Sequence, residues 1–139
     1  MIREITDIES IMAWRAEVLR EVFGEEPTAA LLEANREYFA SAEYLACEIP
    51  GEGCGAVCFQ REMPSPDNPS GRCAYLMNMY VRRPFRRKGH GSELVRWLVG
   101  EARRRGCGKI YLETTAAGRG MYESCGFADF KDIMKLDEV

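Results

Sequence analysis

Arg82, Arg83, Arg86, Arg87 and Lys88 crowd into a stretch that ends in Gly89-His90-Gly91. An amphipathic helix is predicted to start at this point. The first-turn amides of a helix have no intrahelical acceptor, and its dipole adds partial positive charge. Glycines at 89 and 91 let an anion approach the backbone closely. The combination describes a cradle for a pyrophosphate, with the arginines and lysine adding charge around it. Two better-known phosphate loops fit badly. A dinucleotide fingerprint needs a third glycine where Leu94 stands. A P-loop needs Gly-Lys-Ser/Thr, whereas Ser92-Glu93 follows Gly91. A tight loop with solvated charges is the bland alternative.

The elements that must position this loop follow from periodicity. Ile2 to Ile5 reads as a short strand. Thr6 and Glu9 match a capping box for a helix carrying Ile8, Ile11, Met12, Val18, Leu19 and Val22, which should end near Gly24. Pro27-Thr28 opens a second helix with Leu31, Leu32, Asn35 and Phe39 on one face. Strands are predicted over Glu43 to Ile49, Gly55 to Arg61 and Cys73 to Val81, with a loop from Met63 to Gly71. After a turn at Pro84, Gly89 to Arg105 repeats apolar residues at helical spacing: Leu94, Val95, Leu98, Val99 and Ala102. A strand over Lys109 to Thr115, a short helix around Met121 to Ser124 and a last strand over Asp129 to Leu136 complete the chain. The expected fold is a single α/β domain, residues 1–139, with a mixed, mainly antiparallel sheet flanked by helices.

Bulk properties narrow the function classes. The 139 residues are 46% hydrophobic and 29% charged, which suits one globular domain. The net charge of −3 argues against a bulk nucleic-acid binder, so a small anionic ligand suits the local basic cluster better. No apolar run approaches membrane-spanning length, and no export signal is visible. We therefore expect a cytoplasmic protein with no nucleic-acid or membrane partner, its homodimerisation left open. The six cysteines are expected as free thiols. A metal site is not expected, because there is no Cys-x-x-Cys pair and the sole histidine, His90, sits between two glycines. A Cys125–His90 nucleophile pair is a weaker reading than inert packing.

Two motifs give the loop a context. Arg86-Arg87-Lys88-Gly89-His90-Gly91 resembles the Gln/Arg-x-x-Gly-x-Gly/Ala motif of the GCN5-related N-acetyltransferases. Downstream, Met121-Tyr122-Glu123-Ser124-Cys125-Gly126-Phe127 resembles that family's Leu-Tyr-Glu-x-x-Gly-Phe pattern. The predicted element order matches the family fold over nearly the whole chain.

The resemblance implies an acetyl-CoA-dependent N-acetyltransferase that moves an acetyl group to a primary amine by direct attack in a ternary complex. Acetyl-CoA is the co-substrate, and no metal is involved. An acyl-CoA-binding regulatory module without turnover is the alternative. By the same resemblance, Arg86, Arg87, Lys88, Gly89, His90, Gly91 and Ser92 hold the pyrophosphate. Met79, Tyr80 and Val81 pair with the pantetheine arm beside a bulge that splays two parallel strands. Tyr122 protonates the leaving thiolate, and Glu113 is the candidate base. Asn78 could instead hold a water that relays the proton, or be a satisfied buried amide. One departure is plain: Glu113-Thr114-Thr115-Ala116-Ala117-Gly118-Arg119-Gly120 lacks the Asn-x-x-Ala that many members carry before the tyrosine. The acceptor pocket is expected around Trp14, Arg15, Glu17, Arg20, Tyr38 and the loop from Met63 to Arg72. Its amine stays open.

Overall fold

The computed structural model describes residues 1–130 and 133–137. β1 (Arg3–Ile5) leads into α1 (Ile8–Phe23). The cap of α1 is Asp7, whose carboxylate accepts from the Ser10 amide at 2.9 Å. The expected Thr6–Glu9 capping box is thus displaced by one residue. Aspartate caps at least as well as threonine, and Asp7 alone reaches the first-turn amide. Glu9 is free to meet Arg36 of α2 (Ala29–Ser41) at 3.0 Å. α1 stops at Gly24, whose φ of 79° suits glycine. Thr28 caps α2 through its hydroxyl, which accepts from the Leu31 amide.

β2 (Tyr44–Ile49), β3 (Gly53–Arg61) and β4 (Arg72–Val81) form an antiparallel meander. A short 3-10 turn at Arg83–Phe85 precedes α3 (His90–Arg104). Because α3 carries the chain back along the sheet, β5 (Lys109–Tyr111) runs parallel to β4. α4 (Ala116–Ser124) follows. The sheet order is β1-β2-β3-β4-β5.

Three predicted elements differ. β5 ends at Tyr111 rather than Thr115, because β4 and β5 diverge there. α4 begins at Ala116 rather than Met121, capped by Thr115; Gly118 and Gly120 hide the helix in the sequence because they depress its propensity. The last predicted strand, Asp129 to Leu136, falls partly on Lys131 and Asp132, outside the described residues. Its described remainder forms no strand, and Met134 there is 96% exposed.

Strand alternation sends neighbouring residues to opposite cores. Ala46, Ala56 and Tyr80 pack with Ile11, Trp14 and Val18 of α1 and Phe39 of α2. Cys47, Val57 and Leu76 pack with Leu94, Val95, Leu98 and Ala102 of α3. At one point the alternation breaks. Tyr80 pairs with Cys54 and Met77 with Ala56, so β4 carries one residue too many. Asn78 takes up the excess with a φ of 56°. Met77 and Met79 would share a face on a regular strand; across this bulge they pack into opposite cores.

Candidate active site

The bulge prepares the cleft. β5 pairs only with Cys73–Tyr75 of β4. Beyond that, the β5-facing edge of β4 through Met79, Tyr80 and Val81 has no strand partner among the described residues. A cavity of about 1190 Å³ opens between the two strands. One wall comes from α1 and α2, the other from Glu113 to Tyr122. The start of α3 lies at its mouth.

That start is built to receive an acceptor. Gly89 is the N-cap of α3, at φ 85°, and no side chain caps the helix. Arg87 also adopts a positive φ, 64°. Among the described residues, no protein acceptor takes the amides of Arg87, Lys88, Gly89, His90, Gly91 or Ser92. A Cβ on Gly91 would lie 3.3 Å from Cε of Met121, so α3 and α4 pack closely here.

The basic side chains divide into two kinds. Arg82 binds both oxygens of Glu17 at 2.8 Å and lies 4.7 Å from the Trp14 ring centre. It braces α1 against the end of β4 and is not offered to a ligand. Arg86 and Arg87 line the cleft, with Arg86 Nε donating to the Val81 carbonyl at 2.8 Å. His90 Nε2 pairs with the Glu52 carboxylate on the β2–β3 turn, while its buried Nδ1 has no partner among the described residues. The imidazole therefore anchors the loop to that turn. Cys125 packs in the α3-side core and makes no hydrogen bond to His90.

Tyr122 lines the cleft from α4, its ring edge-on to Phe127. Its hydroxyl bonds to none of the described residues, and burial raises its pKa above the ordinary tyrosine value. Glu113 lies on the same wall and accepts from the Tyr75 hydroxyl at 2.7 Å. Burial first, then that bond, pushes the Tyr75 pKa upward. Sequence reasoning missed Tyr75, which reads as one more apolar residue of β4; its meeting with Glu113 depends on β5 lying beside β4.

The Acetyltransferase (GNAT) family model matches residues 8–127. The chain belongs to this family. It is 37% identical over 75 residues to glucosamine 6-phosphate N-acetyltransferase 1 of Oryza sativa subsp. japonica, a match covering 54% of this chain and 44% of the rice protein. Its fold is similar to a predicted acetyltransferase from Clostridium acetobutylicum solved with acetyl-CoA, with TM-score 0.84 and 26% identity over 99% of this chain and 96% of that one. It is also similar to a GCN5-related N-acetyltransferase from Ralstonia eutropha JMP134, with TM-score 0.78 and 22% identity over 100% and 99% of the two chains.

Within this GNAT fold, the expected acceptor residues separate. Arg15 and Tyr38 line the cleft. Trp14 does not: it is buried, and its Nε1 donates to Glu48 at 2.7 Å. Glu17 is held by Arg82, and Arg20 pairs with Glu26. The loop from Met63 to Arg72 contributes nothing to the cleft lining; Asn68 ties it instead to Glu62 and the Arg72 carbonyl. Asn78 Oδ1 accepts from Arg15 at 2.8 Å. All six cysteines are free, and burial pushes the Cys47 thiol up to about 12. Among the described residues, no group of three or more potential metal ligands is gathered, and no helix is long and apolar enough to cross a membrane.

Proposed function

We propose that this chain transfers an acetyl group from acetyl-CoA to a primary amine, by direct attack with both substrates bound. The observation that carries this reading is the run of unused amides from Arg87 to Ser92 at the mouth of the β4–β5 cleft. Those amides suit the pyrophosphate of acetyl-CoA, with Arg86, Arg87 and Lys88 supplying charge. The edge of β4 at Met79, Tyr80 and Val81, which no strand covers among the described residues, suits the amide groups of the pantetheine arm. The thioester then lies between Glu113 and Tyr122.

Each residue has a proton to manage. An amine arrives protonated, and Glu113 accepts that proton directly or through water, oriented by its bond from Tyr75. The amine nitrogen forms a bond to the thioester carbonyl carbon while the carbon–sulfur bond breaks. The sulfur takes the Tyr122 proton as it leaves, and the second proton shed by the nitrogen as the amide forms restores the Tyr122 phenol by way of solvent. Burial suits Tyr122 to this role, because it favours the neutral phenol that must donate. We place the chain in the cytoplasm, a reading that its free thiols support.

Saturating acetyl-CoA should stabilise the folded chain by about 2.7 kcal/mol at 100 times its Kd, seen as a rise in Tm of several degrees. Loss of the thioester should then depend on added amine. A Tm that does not move in acetyl-CoA overturns the assignment. A Tm that moves with no thioester loss for any amine leaves a binding module without turnover.

A further inference from the structure

Arg15 is the one described cation on the α1–α2 wall of the cleft, and its surroundings are unusual for an arginine. It is half-buried on the cleft wall, and no carboxylate lies within 4.0 Å among the described residues. Its guanidinium is held by two neutral oxygens: Nε donates to Asn35 Oδ1 at 2.7 Å, and Nη1 donates to Asn78 Oδ1 at 2.8 Å. The Asn35 amide is itself fixed. Asn35 Nδ2 donates to the Leu31 carbonyl at 2.9 Å, which turns its oxygen toward Arg15. The Asn78 backbone sits at the bulge of β4, with a φ of 56°. A guanidinium carries five N–H donors, so this grip leaves about three unassigned. It also leaves the full positive charge, since an arginine stays protonated even when burial lowers its pKa.

The opposite wall holds a charge of the other sign. Glu113 is engaged by the Tyr75 hydroxyl and makes no ion pair among the described residues. Arg15 and Glu113 thus line one cavity without neutralising each other. Glu21, exposed near the end of α1, also lines the cavity.

On the reading of the chain as an N-acetyltransferase, we propose that its acceptor carries an anionic group as well as the amine, and that Arg15 binds that group. A carboxylate or a phosphate would make the same charge-assisted, two-pronged contact. The amine end then lies toward Glu113. A purely structural Arg15, stapling α1 to α2 and β4, would not care whether the acceptor is charged.

The test uses matched pairs with acetyl-CoA: an amino acid against its amide, and an amino sugar 6-phosphate against the unphosphorylated sugar. The wild-type chain should favour the anionic member of at least one pair by about 10–100-fold in kcat/KM. The pair that discriminates names the anion. Arg15→Gln should bring that ratio near one, mainly through KM, while acetyl-CoA still raises its Tm. If Arg15→Gln does not fold, Asn35→Asp places a carboxylate against Nε and should reduce the same ratio with the arginine in place. Equal kcat/KM within both pairs overturns the proposal, as does a ratio that survives both variants. So does a chain that binds acetyl-CoA yet acetylates only neutral amines, or none of the four. A chain that does not bind acetyl-CoA at all fails at the earlier step, in the proposed function itself.

Discussion

α3 and α2 both lie against the sheet, yet they commit different amounts of surface to it. α3 buries Leu94, Val95, Leu98 and Ala102 completely. α2 buries only Phe39, and leaves Leu31 43% and Tyr38 39% exposed. The amides proposed to hold the cofactor begin the helix that is sealed to the sheet. The wall proposed to meet the acceptor is shared between α1, which carries Arg15, and the thinly packed α2, which carries Asn35 and Tyr38. A binding element common to all turnovers gains from rigidity, because its donors need no reorganisation. A wall that meets one particular amine can change its side chains at little cost to the core.

The largest expected effect tests the chemistry between these two sides. Tyr122→Phe should lower kcat by roughly 10²–10⁴, the usual worth of a placed general acid. Its Tm should barely change, since the hydroxyl bonds to none of the described residues. In the wild-type chain, activity should fall as pH rises through the Tyr122 pKa. That limb should lie above the ordinary tyrosine value of about 10 and be absent or moved in the variant. Full activity in Tyr122→Phe would return the residue to a packing role.

The packing contrast itself can be broken by paired truncations. Leu98→Ala, on the sealed face, should cost about 2–5 kcal/mol in chemical denaturation. Leu32→Ala, partly buried on α2, should cost about 1 kcal/mol or less, within the range for side chains away from a close-packed core. Equal losses would mean that α2 is as firmly held as α3.

The cofactor side can be probed without touching the core. Gly91→Val should abolish the rise in Tm caused by acetyl-CoA, because the added carbons meet Met121 and crowd the open amides. The unliganded protein should still unfold cooperatively. A retained shift would place the pyrophosphate elsewhere.

The smallest effect concerns the brace between the two sides. Arg82 hydrogen-bonds Glu17 and so lowers its pKa below the ordinary 4.5. The folded-state value is thus below the unfolded one. The pair's contribution is complete above the unfolded value and is lost as pH falls through the folded one. Glu17→Gln should cost roughly 0.2–1 kcal/mol near neutrality, given the pair's partial exposure. The difference from wild type should vanish in acid, and a difference that persists there would assign it to packing instead.

Local chemistry made much of the chain legible in advance. Glycine at 24, threonine at 28 and the apolar stripe from Leu94 to Ala102 each act within a few residues, so α1, α2 and α3 could be placed from pattern alone. The loop from Arg86 to Gly91 was readable for the same reason: unused amides at a helix start are a property of the backbone. What pattern could not say is which charges the fold consumes. Arg82 and Arg87 look alike in the sequence, but Glu17, 65 residues from Arg82, takes the first and leaves the second at the cleft. Trp14 and Arg15 are adjacent, yet helical rotation sends one to Glu48 in the core and the other to Asn35 and Asn78 on the cleft wall. Tyr75 met Glu113 only once β4 and β5 lay side by side. Those pairings join residues far apart in sequence, and only the packed sheet brings them together.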